Sequence, residues 1–148
     1  MPLVESDDLD GVGRLAEILR PALLRVSRKL RREAQMAGVS ALDAQLLAVI
    51  QKWPGIGAAV LADREQMTRP SMSGHVKRLA AAGWIRRDPA AEDGRRVGLA
   101  LTAEGALALE AIRVRRNDWL ARRLAAIGPE ARAALAAAAE PLERLAQL

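Results

Sequence analysis

Residues 71–105 read SMSGHVKRLAAAGWIRRDPAAEDGRRVGLALTAEG, and within them the spacing of apolar residues changes from helical to strand-like. Met72, Val76 and Leu79 lie at about 0°, 40° and 340° on a helical wheel, which is one compact face. Gly83 suits the left-handed residue that ends many helices. The segment therefore predicts a helix that buries one face and stops at Gly83, with short strands after it.

The hairpin is predicted from the two strand-like runs at 84–87 and 96–101, which flank the polar, turn-rich residues 88–95. Thr102 is placed to cap a long helix over about 103–126. Gly128 and Pro129 then predict a break before a last helix.

Upstream of this segment, the pattern predicts helices over about 11–37, from Ser40 to Trp53, over about 57–66 and over 68–82. Pro21 predicts an early interruption of the first helix. Ser40, with Asp43 three residues later, predicts the N-cap of the second.

Two short helices, a third in register and a basic hairpin directly afterwards are the sequence outline of a winged helix-turn-helix. We therefore predict a mainly α fold with a small β-hairpin wing, in a single domain over 1–148. The winged helix-turn-helix occupies 40–101, and long outer helices lie at 11–37 and 103–147.

The charge of the chain favours a polyanionic partner. Lys and Arg number 23 against 18 Asp and Glu, a formal net charge of +5. Residues 11–37 hold seven basic and two acidic residues (+5), and residues 64–96 hold eight and four (+4). Two basic surfaces of this kind are typical of nucleic-acid binding.

Other classes of function are disfavoured by composition. The chain has no Cys and one His, which leaves little for a metal cluster or a nucleophile–base pair. We predict neither catalysis, nor a metal, nor a cofactor. No apolar run approaches the ~20 residues of a membrane helix, and the acidic start is unlike a signal peptide. The expectation is a cytoplasmic protein without a membrane partner.

The predicted recognition helix at 68–82 places small and basic groups opposite its apolar face, where they can approach a major groove. Gly94 and Arg95 at the hairpin tip can place a guanidinium in a minor groove. The predicted DNA contacts are Thr68, Arg69, Pro70, Ser71, Ser73, Gly74, Lys77, Arg78, Arg86, Arg95 and Arg96. The alternative is that these charges only solvate a surface helix.

The run from Ser71 to Gly105 resembles the MarR family of bacterial transcription regulators. The matching motifs are Arg78-Leu79, Ala82-Gly83-Trp84, Asp93-x-Arg95 and Leu101-Thr102-x-Glu104-Gly105. The flanking helices fall in the family's order, so the resemblance covers about residues 11–147. Gly74 departs from the family, since many relatives have Arg there, and the usual base contact cannot be carried over.

This resemblance implies a bacterial homodimer whose first and last helices are dimerisation helices and whose winged helices bind a palindromic site in double-stranded DNA. It implies that Asp93 braces the wing through a nearby Arg and that Arg95 touches DNA. The expected function is a sequence-specific repressor that a small-molecule effector releases. A non-specific architectural DNA-binding protein is the alternative.

The family often binds small aromatic or lipophilic molecules between its dimer and DNA-binding regions. On that resemblance, Val26, Ile50, Trp53 and Trp119 are candidates for an effector pocket, and core packing is the alternative for each tryptophan. The wheel places His75, the only histidine, at the edge of the apolar face, which favours a structural, partly buried role. The basic first helix has three open interpretations: phosphate contact, effector contact or solvation.

Overall fold

The computed structural model describes residues 6–89 and 97–148. Its elements in chain order are α1 (Ser6–Met36), α2 (Ala41–Lys52), β1 (Ile56–Gly57), α3 (Ala58–Arg64), α4 (Arg69–Ala81), β2 (Ile85–Pro89), β3 (Val97–Leu101), α5 (Ala103–Ala126) and α6 (Pro129–Leu145). The mainly α fold with a small β-hairpin is confirmed. In the described residues, no helix is both long and apolar enough to cross a membrane.

The sheet has three antiparallel strands in the order β1-β3-β2. Leu99 of the central strand β3 faces Ile56 of β1 on one side and Arg87 of β2 on the other. Strand β1 was not predicted, because a strand of two residues carries no periodicity. It forms only because the hairpin offers an edge to pair with.

The core lies between α2, α3, α4 and the sheet. Met72, Val76 and Leu79 are buried, which confirms the predicted apolar face of α4. They belong to one cluster with buried side chains of α2, α3, the strands and α5, which include Leu46, Leu47, Ile50, Leu61, Ile85, Leu99 and Leu109. This cluster holds the helix-turn-helix and the hairpin together as one body.

The first helix is continuous, contrary to the prediction from the sequence. α1 runs without a break from Ser6 to Met36, so the predicted interruption at Pro21 is wrong. Proline removes a single main-chain donor, and the other hydrogen bonds of a 31-residue helix keep both halves in one element. The Arg25 Nε donates to the Pro21 carbonyl at 3.2 Å.

The C-terminal half of α1 packs against α5 through polar and apolar contacts. Arg116 Nε donates to the Leu30 carbonyl at 3.1 Å, and Arg115 pairs with Glu33 at 3.2 Å. Partial burial lowers the pKa of the Arg116 guanidinium, because a low-dielectric environment disfavours its charge. Buried Ala34 and Ile112 contribute to a second, smaller core cluster at this junction.

The start of α5 is tied to the turn between α4 and β2. Thr102 caps α5 as predicted, since its hydroxyl accepts from the Gly105 N–H at 3.0 Å. The same hydroxyl donates to the Gly83 carbonyl, and the Thr102 N–H donates to the Trp84 carbonyl at 3.0 Å. A Cβ on Gly105 would lie 1.9 Å from the Trp84 oxygen, so only glycine permits this close approach.

We expect Gly105→Ala to lower the free energy of unfolding by about 1–3 kcal/mol, because the backbone must shift to admit the methyl group. The matched control is Gly74→Ala, a helical glycine whose added Cβ would meet nothing within 4 Å. That change should raise stability by about 0.5–1 kcal/mol. Urea denaturation of both variants measures the contrast, and equal effects would contradict the packing described for α5.

Candidate nucleic-acid interface

The turn between α3 and α4 sets the start of the helix that the sequence predicts to read DNA. Thr68 is the N-cap of α4, and its hydroxyl accepts from the Ser71 N–H at 3.3 Å. Pro70 lies in the first turn, where its missing N–H has no helical partner to lose. Gly83 follows the helix with φ of +77°, the left-handed conformation predicted for it.

The structure leaves the predicted contacts of the α3–α4 turn and α4 exposed, whereas Met72, Val76 and Leu79 are buried. The exposed members are Thr68, Arg69, Pro70, Ser71, Ser73, Gly74, Lys77 and Arg78. Hydroxyl groups and cations on a protruding helix are the groups that bind phosphates and base edges. We call this set the α4 surface, and its contact with DNA remains a prediction.

Gly74 at the middle of the α4 surface is exposed and has no structural partner. Glycine inside a helix is less stable than alanine by roughly 0.5–1 kcal/mol. Among the described residues, no neighbouring atom excludes a larger side chain here. Nothing within the described fold accounts for a glycine at this position.

Arg78 differs from the rest of the α4 surface, because its guanidinium is already bound within the chain. Its Nη2 pairs with the Asp43 carboxylate of α2 and lies 2.9 Å from His75 Nδ1. The Arg78 side chain is still 53% exposed, whereas that of Asp43 is 10% exposed. Arg78 therefore connects α4 to α2, and its contact with DNA stays a prediction.

Asp43 has a contact that the sequence did not predict, in addition to its predicted place in the α2 cap. Its N–H donates to the Ser40 hydroxyl at 3.0 Å, which confirms the predicted cap of α2. Its side chain, however, is the only buried charged one in the described part of the chain. A signal for this existed: Asp43 shares the helical spacing of the buried Leu46, Leu47 and Ile50.

The hairpin contributes a second tethered cation. Arg86 Nε donates to both Asp88 carboxylate oxygens, at 3.1 and 3.0 Å, and Arg86 Nη1 donates to the Leu101 carbonyl at 3.3 Å. The bond to Leu101 links the two strands of the wing at its base, whereas the bonds to Asp88 lie within β2. The predicted brace Asp93 and the predicted DNA contacts Arg95 and Arg96 lie outside the described residues.

A cavity of about 960 Å³ lies between α1, α2 and α5. Apolar side chains such as Leu30, Leu42 and Ile112 line it beside three cations, Arg31, Arg113 and Arg116. Among the described residues that line it, none is acidic. These features suit a mainly apolar molecule with an anionic group, since lone carboxylates are stabilised by guanidinium.

The four predicted pocket residues are not brought together. Val26 lines the cavity, whereas Ile50 is fully buried in the core. Trp53 lies elsewhere and packs on the core with Lys52 and Arg64 over its ring, at 4.7 and 3.7 Å from the centroid. The Trp119 ring is likewise stacked, by the Arg123 guanidinium at 4.0 Å.

The comparison with known proteins agrees with this architecture. A model of the MarR family matches residues 37–96. An HTH-type transcriptional regulator of Mycobacterium tuberculosis is 35% identical over 132 residues, which cover 89% of this chain and 92% of the relative. The chain therefore belongs to the MarR family of helix-turn-helix transcriptional regulators.

Solved structures show the same fold. A Pseudomonas aeruginosa protein described as a transcriptional regulator is 31% identical, with a TM-score of 0.79 over 94% of this chain and 97% of that one. A Staphylococcus aureus MepR variant, solved bound to an oligodeoxyribonucleotide, has a TM-score of 0.67 and 18% identity over 90% and 96%. The second likeness concerns the fold alone.

We expect Arg78→Ala to lower the free energy of unfolding by about 1–3 kcal/mol, because it leaves the buried Asp43 carboxylate without its charged donor. Lys77→Ala is the matched control, since Lys77 precedes Arg78 on the same helix, is also exposed and forms no ion pair with a described residue. Its effect should stay within about 0.5 kcal/mol. Urea denaturation decides, and an Arg78 variant as stable as the Lys77 variant would show that the pair contributes nothing.

Proposed function

We propose that this chain binds DNA sequence-specifically, with α4 in the major groove. The observation that carries the proposal is the division of α4 into a face held in the core and the exposed α4 surface. The rigid attachment fixes the direction of the surface, and its hydroxyl groups and cations match phosphates and base edges. The basic wing lies next to it in sequence and supports a second contact in the minor groove.

We further propose a homodimer. Large apolar side chains are exposed along α1, including Val12, Leu15 and Ile18 at 60, 54 and 69%. No residue of α6 is buried, although Leu135 and Leu145 lie on it. Exposed apolar surface of this extent favours a protein–protein interface. Most soluble oligomers are symmetric homodimers, so a second copy of the chain is the proposed partner. A two-fold dimer in turn predicts a palindromic operator.

The proposed regulatory outcome is repression released by an effector in the cavity. The cavity lies between α1, α2 and α5. Of these helices, α2 is connected to the proposed recognition helix α4 by the Asp43–Arg78 pair. A ligand that favours a different arrangement of these helices would change the spacing of the two recognition helices in a dimer. The apolar, acid-free lining supports an aromatic or lipophilic molecule, and its three arginines support a negative charge on it.

We expect Ile18→Glu to convert the dimer to a monomer at micromolar concentration, because a carboxylate would be desolvated at the interface. The matched control is Leu107→Glu, since Leu107 on α5 is exposed to a similar degree, 71% against 69%. Sedimentation velocity distinguishes the two. The proposal fails if the wild-type chain sediments as a monomer or if the Leu107 variant alone dissociates.

Selection of bound duplexes from a random DNA pool, with competitor DNA present, tests the proposed function directly. We expect a palindromic consensus with half-sites about one helical turn apart. Enrichment of no sequence, together with general DNA affinity, would instead favour the architectural alternative. Absence of any DNA binding would overturn the proposal.

A further inference from the structure

The described residues include one polar link that crosses from the recognition helix into the core. Arg78 Nη2 bears two N–H groups, and it has two partners: the Asp43 carboxylate on α2 and His75 Nδ1 on its own helix. Guanidinium can only donate, so Nδ1 must be the nitrogen that carries a lone pair. An imidazole that accepts at Nδ1 would carry its proton at Nε2.

We propose that Asp43 and His75 are positioning residues for DNA recognition, and that they act through Arg78 as a proton-sensitive link between α2 and α4. This inference rests on the proposed DNA-binding function. Protonation of Nδ1 replaces an acceptor by a donor that faces the Arg78 N–H, and it places two positive charges about 3 Å apart. Repulsion between the two cations then favours release of Arg78 from this position.

Among the described residues, Arg78 is the charged group in hydrogen-bond contact with His75. His75 is half-buried, and Lys77 on the same helix belongs to the exposed α4 surface. The charged groups of α3, the α3–α4 turn and β2, the other segments near α4, are Asp63, Arg64, Glu65, Arg86, Arg87 and Asp88. Of these, Arg64 stacks on Trp53, Glu65 accepts from Gln45, and Arg86 pairs with Asp88.

The link bears on recognition because it acts at the α4 surface. Arg78 is one helical turn from Gly74 and next to Lys77, so its release changes both the charge presented there and the polar contact that holds this part of α4 to α2. Positive charge alone would raise affinity for every duplex. A displaced helix would instead lower the preference for the correct sequence.

The chain is suited to a clean test, since it has a single histidine and imidazole is the side chain that titrates nearest neutrality. The measured quantity is the ratio of affinities for the selected duplex and a scrambled duplex, at pH 8 and pH 6 and constant ionic strength. We expect this ratio to fall about fivefold in the wild type, the factor that corresponds to one hydrogen bond of about 1 kcal/mol. Urea midpoints at both pH values confirm that the protein remains folded.

His75→Asn is the informative variant, because its amide oxygen can accept from Arg78 and cannot be protonated in this range. Its ratio should match the wild-type value at pH 8 and stay constant to pH 6. His75→Ala, which lacks any acceptor, should show a reduced ratio at both pH values. Asp43→Asn, which retains an acceptor but loses the charge, should also reduce the ratio at pH 8.

The outcomes separate the inference from the function on which it rests. A wild-type ratio that is constant between pH 8 and pH 6, or that falls equally in His75→Asn, would overturn the proton-sensitive link while DNA recognition stands. A wild-type protein that does not distinguish the two duplexes at pH 8 would overturn the proposed function itself.

Discussion

Met72, Val76 and Leu79 hold one face of α4 in the core, and the exposure of the α4 surface depends on that burial. Removing a side chain of this kind from water contributes about 1.5–3 kcal/mol. Because the apolar face is compact, α4 has one rotational setting in which all three are buried. The opposite face must then be exposed, whatever residues it carries.

The cluster around α4 also determines where the flanking elements go. The turn after α4 carries the Gly83 and Trp84 carbonyls that bind Thr102, so the helix α5 begins at a point defined by the recognition helix. Further along, α5 binds the C-terminal half of α1 through Arg115 and Arg116. The proposed dimer helices are thus attached to the proposed DNA-binding region through two polar junctions with specific geometry.

Apolar contacts have little directionality, so the orientation of α4 relative to α2 also depends on a polar pair. A buried carboxylate is stable only when it is paired and hydrogen-bonded, and Asp43 meets this requirement with a guanidinium of α4. Such a pair adds little net stability beside an apolar contact, yet it is directional. It restrains α4 relative to α2 at the edge of the core.

Much of the fold could be predicted from the sequence alone, because helix caps and apolar spacing depend on residues that are close together in the chain. The spacing of Met72, Val76 and Leu79 predicted the buried face of α4, and Ser40, Thr68 and Thr102 predicted three helix starts that the structure confirms. Capping and amphipathic spacing act within one or two turns of a helix, so they can be recognised in a linear chain.

The tertiary structure alone decided the contacts between residues distant in sequence. Arg78 and Asp43 are 35 positions apart, and no local pattern joins them. Trp53 carries no marker of Arg64 on α3, which stacks on its ring, and the edge that pairs β1 exists only after the hairpin has formed. At Pro21 the local preference was misleading: proline predicted an interruption, but α1 continues through it. Side-chain partners depend on how elements pack, and packing is a property of the whole chain.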